Sequence, residues 1–330
     1  MALVIITPGP LTSVQDLGRV GYAANGYPEC GACDPYALVL GNLLCGNEEN
    51  AAALEFTLMG PSVTADMDTV LVLTGGVTSP AIDGQQVSMH RPFLLRKGQT
   101  LTIGLISQGL RGYLCAAGGV DVPVVLGSRC TDMKSRIGGV EGRALCMGDQ
   151  VPIGKTAVHS LNSKQQAADQ IREQGWAYAV STPRRWIDGK SCPVLRCIAG
   201  PQEDAFTDEA LSILTRAAYT LTPDSNRMGV KLSGAVLPSK AGVDIISDGI
   251  LSGVVQVSAN GQPIIMMADH QTTGGYAKIA TVLPCDLSAA AQVRPGETVF
   301  FRLVTMAEGI RAMQLEKYKL AYVRKTVSEA

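Results

Sequence analysis

The stretch GVVQVSANG, residues 253–261, followed one residue later by PIIMMAD, residues 263–269, decides the fold class. Each is a short apolar run, about four to eight residues long, and a polar Asn-Gly break lies between them. That is strand punctuation. The same pattern recurs in VIITPGP (4–10), TVLVLTGG (69–76), QTLTIGLI (99–106), RGYLCAAGG (111–119), VLRCIAG (194–200) and TVFFRLV (298–304). The intervening pieces are too short for regular crossover helices, which favours antiparallel sheets or barrels over a βαβ fold. Lys97-Gly98-Gln99, Met147-Gly148-Asp149 and Pro295-Gly296-Glu297 each place a Gly turn before a strand, in both halves of the chain. This repetition suggests two related β-barrels.

Helices are few. Asp34 is an N-cap and Pro35 a first helical residue, leading into YALVLGNLL. Thr207 is placed to cap DEALSILTRAAY, and Asp286 to cap LSAAAQV. Thr305 and Glu308 have capping-box spacing and open a C-terminal helix expected to run to about Tyr322. Residues 160–175, SLNSKQQAADQIREQG, are the most polar stretch and read as a link. The expected organisation is a first barrel domain over 1–160, a linker over 161–185, a second barrel over 186–304 and a C-terminal helix and tail over 305–330.

The chain has 330 residues, enough for two domains, and 46% of them are hydrophobic, enough for a packed core. With 28 Lys+Arg against 29 Asp+Glu, the net charge of -1 supplies no field to attract a polyanion, so nucleic acid is not an expected partner. No run approaches the ~20 apolar residues of a membrane helix. MALVIITPGP lacks a basic region and breaks at Pro8-Gly9, so it reads as a strand and not as a signal peptide. Nine cysteines without a paired framework suit a reducing, cytoplasmic setting. Cys30 and Cys33 form one C-x2-C with no second ligand pair, and the three histidines are isolated, so no metal site is expected.

Standard catalytic signatures fail. GDQVPIGKT (148–156) has five residues between its glycines where a phosphate loop has four, and Pro152 removes one N–H donor. It reads as a Gly turn and a strand. GLISQG (104–109) lacks the glycine of a nucleophile elbow.

Instead, six polar, Gly-rich phrases interrupt apolar strands: SVQDLGRVG (13–21), CGACD (30–34), GSRCTD (127–132), DSNRMG (224–229), Gln256 with NGQP (260–263), and ADHQTTGGY (268–276). Glycines let a ligand approach backbone. Arg19, Arg129 and Arg227 can fork onto a carboxylate or phosphate. Gln256 and Gln271 can read an amide through donor and acceptor together. The combination suits a small ligand carrying both an anion and an amide. Each phrase also fits a hydrogen-bonded turn, with Asp16 or Asp132 satisfying loop N–H groups. The last phrase favours a site, because four polar side chains directly follow the apolar residues 264–268.

These phrases, together with NAAALEFTLMGP (50–61), YLCAAGGVDVPVVLGSRCTD (113–132) and SNRMG (225–229), resemble the biotin-dependent carboxyltransferase, allophanate hydrolase subunit 2 and Kip antagonist family. The resemblance spans about residues 6–303. It implies a mainly β protein of two cyclophilin-like β-barrel domains. It also implies a component of an ATP-dependent 5-oxoprolinase that opens 5-oxo-L-proline to L-glutamate with subunits A and B, active only in that complex. ATP, with Mg, would be the cofactor. A biotin-dependent urea or amide carboxyltransferase is the alternative activity, with biotin on a separate polypeptide, and a Kip-antagonist-type regulatory binding protein is the other. Cys130, Cys33 and Ser13 depart from the residues usual in the family, while the charged positions remain.

In the oxoprolinase scheme, phosphorylation of the lactam oxygen by ATP makes the carbon electrophilic. Arg227 holds a carboxylate or phosphate, Gln256 and Gln271 orient the lactam, and Asp269 or His270 moves a proton. Asn226, Thr272, Thr273, Gly275 and Tyr276 complete the expected binding surface. Asp16, Arg19, Asp34, Ser128 and Asp132 form a second expected cluster.

Overall fold

The computed structural model describes residues 1–155, 161–175, 182–187 and 189–329. They divide into two units. The first comprises Met1–Gly21, Glu29–Ala179 and Tyr318–Ala330; the second comprises Tyr22–Pro28 and Val180–Lys317.

The strands of the first unit are β1 (Ala2–Thr7), β2 (Leu11–Gln15), β3 (Ala53–Thr57), β4 (Met59–Ala65), β5 (Thr69–Val77), β6 (Ala81–Ile82), β7 (Gln85–Gln86), β8 (Phe93–Leu95), β9 (Thr100–Leu105), β10 (Gln108–Ala116) and β11 (Gln150–Pro152). They form two sheets, in the orders β11-β1-β4-β9-β6-β7 and β2-β3-β10-β5-β8. Leu3, Ile5 and Val63 of one sheet share a core with Leu54, Phe56 and Leu73 of the other. The opposite face of the second sheet is covered by helix α1 (Pro35–Cys45), whose Leu38, Leu40 and Leu44 pack on Val72, Tyr113 and Cys115. A strand covered on both faces needs apolar residues on both, which is why TVLVLTGG is a continuous run and does not alternate. Helix α1 starts as its sequence dictates: Asp34 Oδ1 accepts from Ala37 N at 3.0 Å, and Pro35 occupies the first turn. Residues 161–173 of the polar stretch form helix α2 (Leu161–Glu173), with Ala168 and Ile171 buried in the same cluster. Residues 176–181 of the expected linker lie outside the described residues.

The second unit contains β12 (Arg184–Ile187), β13 (Lys190–Ala199), β14 (Tyr219–Leu221), β15 (Gly229–Gly234), β16 (Asp244–Gly249), β17 (Val254–Val257), β18 (Pro263–Met266), β19 (Thr273–Tyr276), β20 (Lys278–Val282) and β21 (Thr298–Leu303). The large sheet runs β12-β13-β20-β17-β18-β15-β14-β21. Strand β21 also pairs in parallel with β13, Val194 opposite Phe300, so seven strands close into a barrel and each has a neighbour on both sides. Leu195, Val230, Leu232, Val255, Ile265 and Phe301 from its strands are all buried. Strands β16 and β19 form a separate two-stranded ribbon.

Helix α3 (Asp208–Arg216) follows Thr207, which caps by position in extended geometry but makes no side-chain cap bond. Helix α4 (Pro284–Ala291) corrects the expectation for Asp286. Pro284 supplies the first helical residue and Leu283 is the N-cap. Asp286 is instead drawn into the protein as the counter-ion of buried Arg196, accepting from Nη2 at 2.6 Å and Nε at 2.9 Å, and from Thr182 Oγ1 at 2.7 Å. Helix α5 (Met306–Ser328) opens with the expected capping box, Thr305 N donating to Glu308 Oε2 and Glu308 N to Thr305 Oγ1. It runs past Tyr322 to Ser328, because Leu320, Val323 and Val327 find apolar neighbours in the first unit's core.

Candidate functional site

The polar phrases of the second unit gather around two strand junctions. At the first, Gln256 of β17 pairs across the sheet with Ile264 of β18 and Lys278 of β20, with a bulge between Val255 and Gln256 on the β20 side. Next to them, Asp248 and Gly274 are direct partners in the β16–β19 ribbon. Gly274 is where two carboxamides converge. A Cβ placed on it would lie 3.0 Å from Gln256 Nε2 and 3.4 Å from Gln271 Nε2. Gln256 is buried, and its Nε2 donates to Tyr276 O at 3.2 Å. The expected pair of amide readers is therefore brought together, by residues fifteen positions apart in sequence.

Lys278, which the sequence reading does not single out, belongs to this group. It is buried between Ala277 and Ile279, and its ammonium bonds Asp248 Oδ2. Gln202 braces the pair, accepting from Lys278 N at 3.3 Å through Oε1 and donating to Asp248 Oδ2 at 3.5 Å. The Lys278 ammonium, with the Gly249 N–H, holds the Asp248 carboxyl below the usual carboxylate range. A signal for it is present: AKIATV carries a single cation inside an apolar strand, and a buried cation needs a partner.

The second junction lies past the other end of β18. Arg227 donates to Asp269 through Nε at 2.8 Å and Nη2 at 2.7 Å. Main-chain bonds from Asp269 N to Arg227 O and from Met267 N to Met228 O zip the two segments together. This side of the Arg227 fork is committed to Asp269 and holds the chain that enters Gln271. His270 is buried, with Nδ1 at 2.7 Å from Gln271 O. A carbonyl oxygen only accepts, so Nδ1 carries the hydrogen that bonds Gln271 O. Thr272 O accepts from Ile250 N, while Thr273, Gly275 and Tyr276 lie on β19, with Thr273 and Tyr276 exposed. Asn226 is a turn residue, its Oδ1 accepting from Met228 N at 2.8 Å.

The expected cluster of the first unit is a loop scaffold. Asp16 accepts from Gly18 N at 2.8 Å, Ser128 Oγ at 2.7 Å and Arg129 N at 2.7 Å. Arg19 is fully buried and donates to Val125 O and Cys130 O. Asp132 Oδ1 accepts from Lys134 N and Ser135 N in an Asx turn. Asp34 caps α1, and its own N–H donates to Tyr113 Oη, which in turn donates to Glu55 Oε2 at 2.6 Å. Burial and the Glu55 carboxylate push the Tyr113 hydroxyl well above its ordinary pKa. Glu55 and Arg111, 4.0 Å apart, complete this buried network, which the sequence reading missed. Among the described residues no group of three His, Cys, Asp or Glu converges on a metal position. Gly148, at φ 89°, turns the chain into β11, so this part of GDQVPIGKT forms a turn and strand; Thr156 lies outside the described residues.

The closed seven-strand β-barrel, the second set of sheets and the few helices define a protein of mainly β architecture. The chain belongs to the family of the carboxyltransferase domain, subdomains A and B, whose model matches residues 25–303. It is 38% identical over 312 residues to the C subunit of 5-oxoprolinase from Escherichia coli strain K12, with 94% of each chain covered. It is 32% identical to the urea amidolyase of Saccharomyces cerevisiae, covering 91% of this chain and 16% of that one. Among solved structures it resembles the Kluyveromyces lactis urea carboxylase, with a TM-score of 0.85, 27% identity, and 98% of this chain against 29% of the other covered.

Proposed function

We propose that this chain is the lactam-handling component of an ATP-dependent 5-oxoprolinase, acting with subunits A and B to convert 5-oxo-L-proline to L-glutamate. The carrying observation is the match to the C subunit of the Escherichia coli 5-oxoprolinase over 94% of both chains. The site chemistry supports it. A lactam presents one C=O and one N–H in cis, and the two carboxamide nitrogens meeting at Gly274 are N–H donors suited to that C=O. Donors preorganised at the carbonyl oxygen stabilise the charge that develops there as the ring opens. Asp269 is occupied by Arg227, which leaves His270 Nε2 to take a proton from the attacking water. Arg227 acts through Asp269, fixing the segment that carries His270 and Gln271.

Amide resonance opposes ring opening, and ATP supplies the driving force. The 148–152 turn and strand lack the loop-to-helix geometry that cradles phosphate, so we assign no nucleotide contact to it. We place the reaction in the cytoplasm, where nine free cysteines stay reduced; among the described residues no helix is long and apolar enough to cross a membrane.

The test is ATP hydrolysis by the assembled complex with and without 5-oxo-L-proline. Stimulation that requires this chain supports the proposal; hydrolysis indifferent to 5-oxo-L-proline defeats it. A second reading, carboxyl transfer from a biotinyl carrier to urea, is favoured by the TM-score of 0.85 to urea carboxylase. Urea is also an amide. Carboxyl transfer from added carboxybiotin carrier without ATP consumption by this complex would select that reading.

A further inference from the structure

We propose that Asp248 is a displaceable counter-ion, and that a carboxylate on the ligand replaces it on Lys278; this rests on reading the Gln256–Gln271 junction as the lactam site. The pair is unequal. The Lys278 side chain is 2% exposed and sits on a barrel strand, whereas Asp248 is 56% exposed on a ribbon of two strands. A buried ammonium that stays charged needs an anion beside it. An exposed carboxylate loses little when it returns to water. The ammonium has three N–H donors, and among the described residues the protein gives it one acceptor, Asp248. An incoming carboxylate can take that place and accept from the remaining donors, while Asp248 turns out to solvent.

The position is suited to a ligand bearing both groups. Lys278 and Gln256 are cross-strand partners, and Asp248 and Gly274 are cross-strand partners. The cation is therefore held one residue pair from the converging amides, at about 5 Å between backbones. A five-membered lactam with a carboxylate on its ring spans such a distance. Arg227 is not the cation for this carboxylate: two of its nitrogens already hold Asp269 at 2.7–2.8 Å.

The experiment is a calorimetric or NMR titration of the full chain, alone and co-purified with its partner subunits. Three probes are used: 5-oxo-L-proline, 2-pyrrolidinone (the lactam without a carboxylate) and tetrahydrofuran-2-carboxylate (the ring carboxylate without an amide). Lys278→Met should weaken both carboxylates at least tenfold, a loss of about 1.4 kcal/mol, and leave 2-pyrrolidinone unchanged. Asp248→Asn, at an exposed position that tolerates exchange, should tighten both carboxylates. The proposal is overturned if Asp248→Asn weakens them, if 5-oxo-L-proline binds without regard to Lys278, or if no carboxylate binds any form. Should the lactam reading alone be wrong, 2-pyrrolidinone will not bind while tetrahydrofuran-2-carboxylate still tracks Lys278 and Asp248.

Discussion

Gly274→Ala is the sharpest perturbation available. Gly274 is a strand residue without positive φ, so alanine adds a methyl group and no backbone strain. That methyl would lie 2.5 Å from Ile250 Cδ1, 3.0 Å from Gln256 Nε2 and 3.4 Å from Gln271 Nε2. The Ile250 methyl is a side-chain end and can rotate away. Gln271 Nε2 is left at ordinary contact distance, and Gln256 Nε2 has little room to retreat, because Gln256 is buried and bonded to Tyr276 O. The methyl thus occupies the point where a ligand oxygen would sit at about 2.9 Å from each donor. Losing one such bond in the transition state costs about 1–3 kcal/mol, or roughly 5- to 150-fold in kcat/KM. Folding should cost about 1–3 kcal/mol, toward the lower end if the Ile250 methyl rotates away. The assay pairs 5-oxoproline-dependent ATP hydrolysis by the complex with a thermal melt. A folded Gly274→Ala complex with kcat/KM within about twofold of wild type would refute the placement of substrate at this junction.

Three further outcomes follow from the geometry. Arg227→Ala should lower oxoproline-dependent turnover at least tenfold, about 1.4 kcal/mol, in a folded protein, and Arg227→Lys should not restore it, since a lysine cannot span both Asp269 oxygens; steady-state kinetics decide this. Asp286→Ala leaves Arg196 buried and unpaired, and should cost about 3–5 kcal/mol in urea unfolding, whereas loss of less than ~1 kcal/mol would show the pair to be idle. Burial, with the Arg172 charge second, lowers the His90 imidazole from 6.5 to about 4. Between these values the unfolded chain binds more protons than the folded one, so stability rises with pH across this window and is lost as pH falls through it. The loss should approach about 3 kcal/mol, and His90→Gln should abolish that part of the slope in urea midpoints measured from pH 7 to 4.

Local features of the fold were legible because their causes are local. TVLVLTGG became β5, PIIMMAD became β18, and the turns at Gly98, Gly148 and Gly296 adopt φ of 80°, 89° and 85° ahead of β9, β11 and β21. Asp34-Pro35 and Thr305–Glu308 start helices because a cap needs only residues three or four positions away. The charges buried in strands were not legible. Asp286 looks like a cap until Arg196, 90 residues distant, is seen to claim it. Lys278 and Asp248 are 30 residues apart, and only the pairing of β16 with β19 and of β17 with β20 brings them together. Gln256 and Gln271 stand out in the sequence by residue type, but their meeting point at a glycine is a property of register.

Glutamate release decides whether the Gln256–Gln271 junction handles the lactam. The complex of this chain with subunits A and B is supplied with ATP and 5-oxo-L-proline, using wild type and the double variant Gln256→Leu, Gln271→Leu. The wild type should release glutamate in an ATP-dependent way, and the folded double variant should release at least tenfold less. Equal glutamate from both would contradict it.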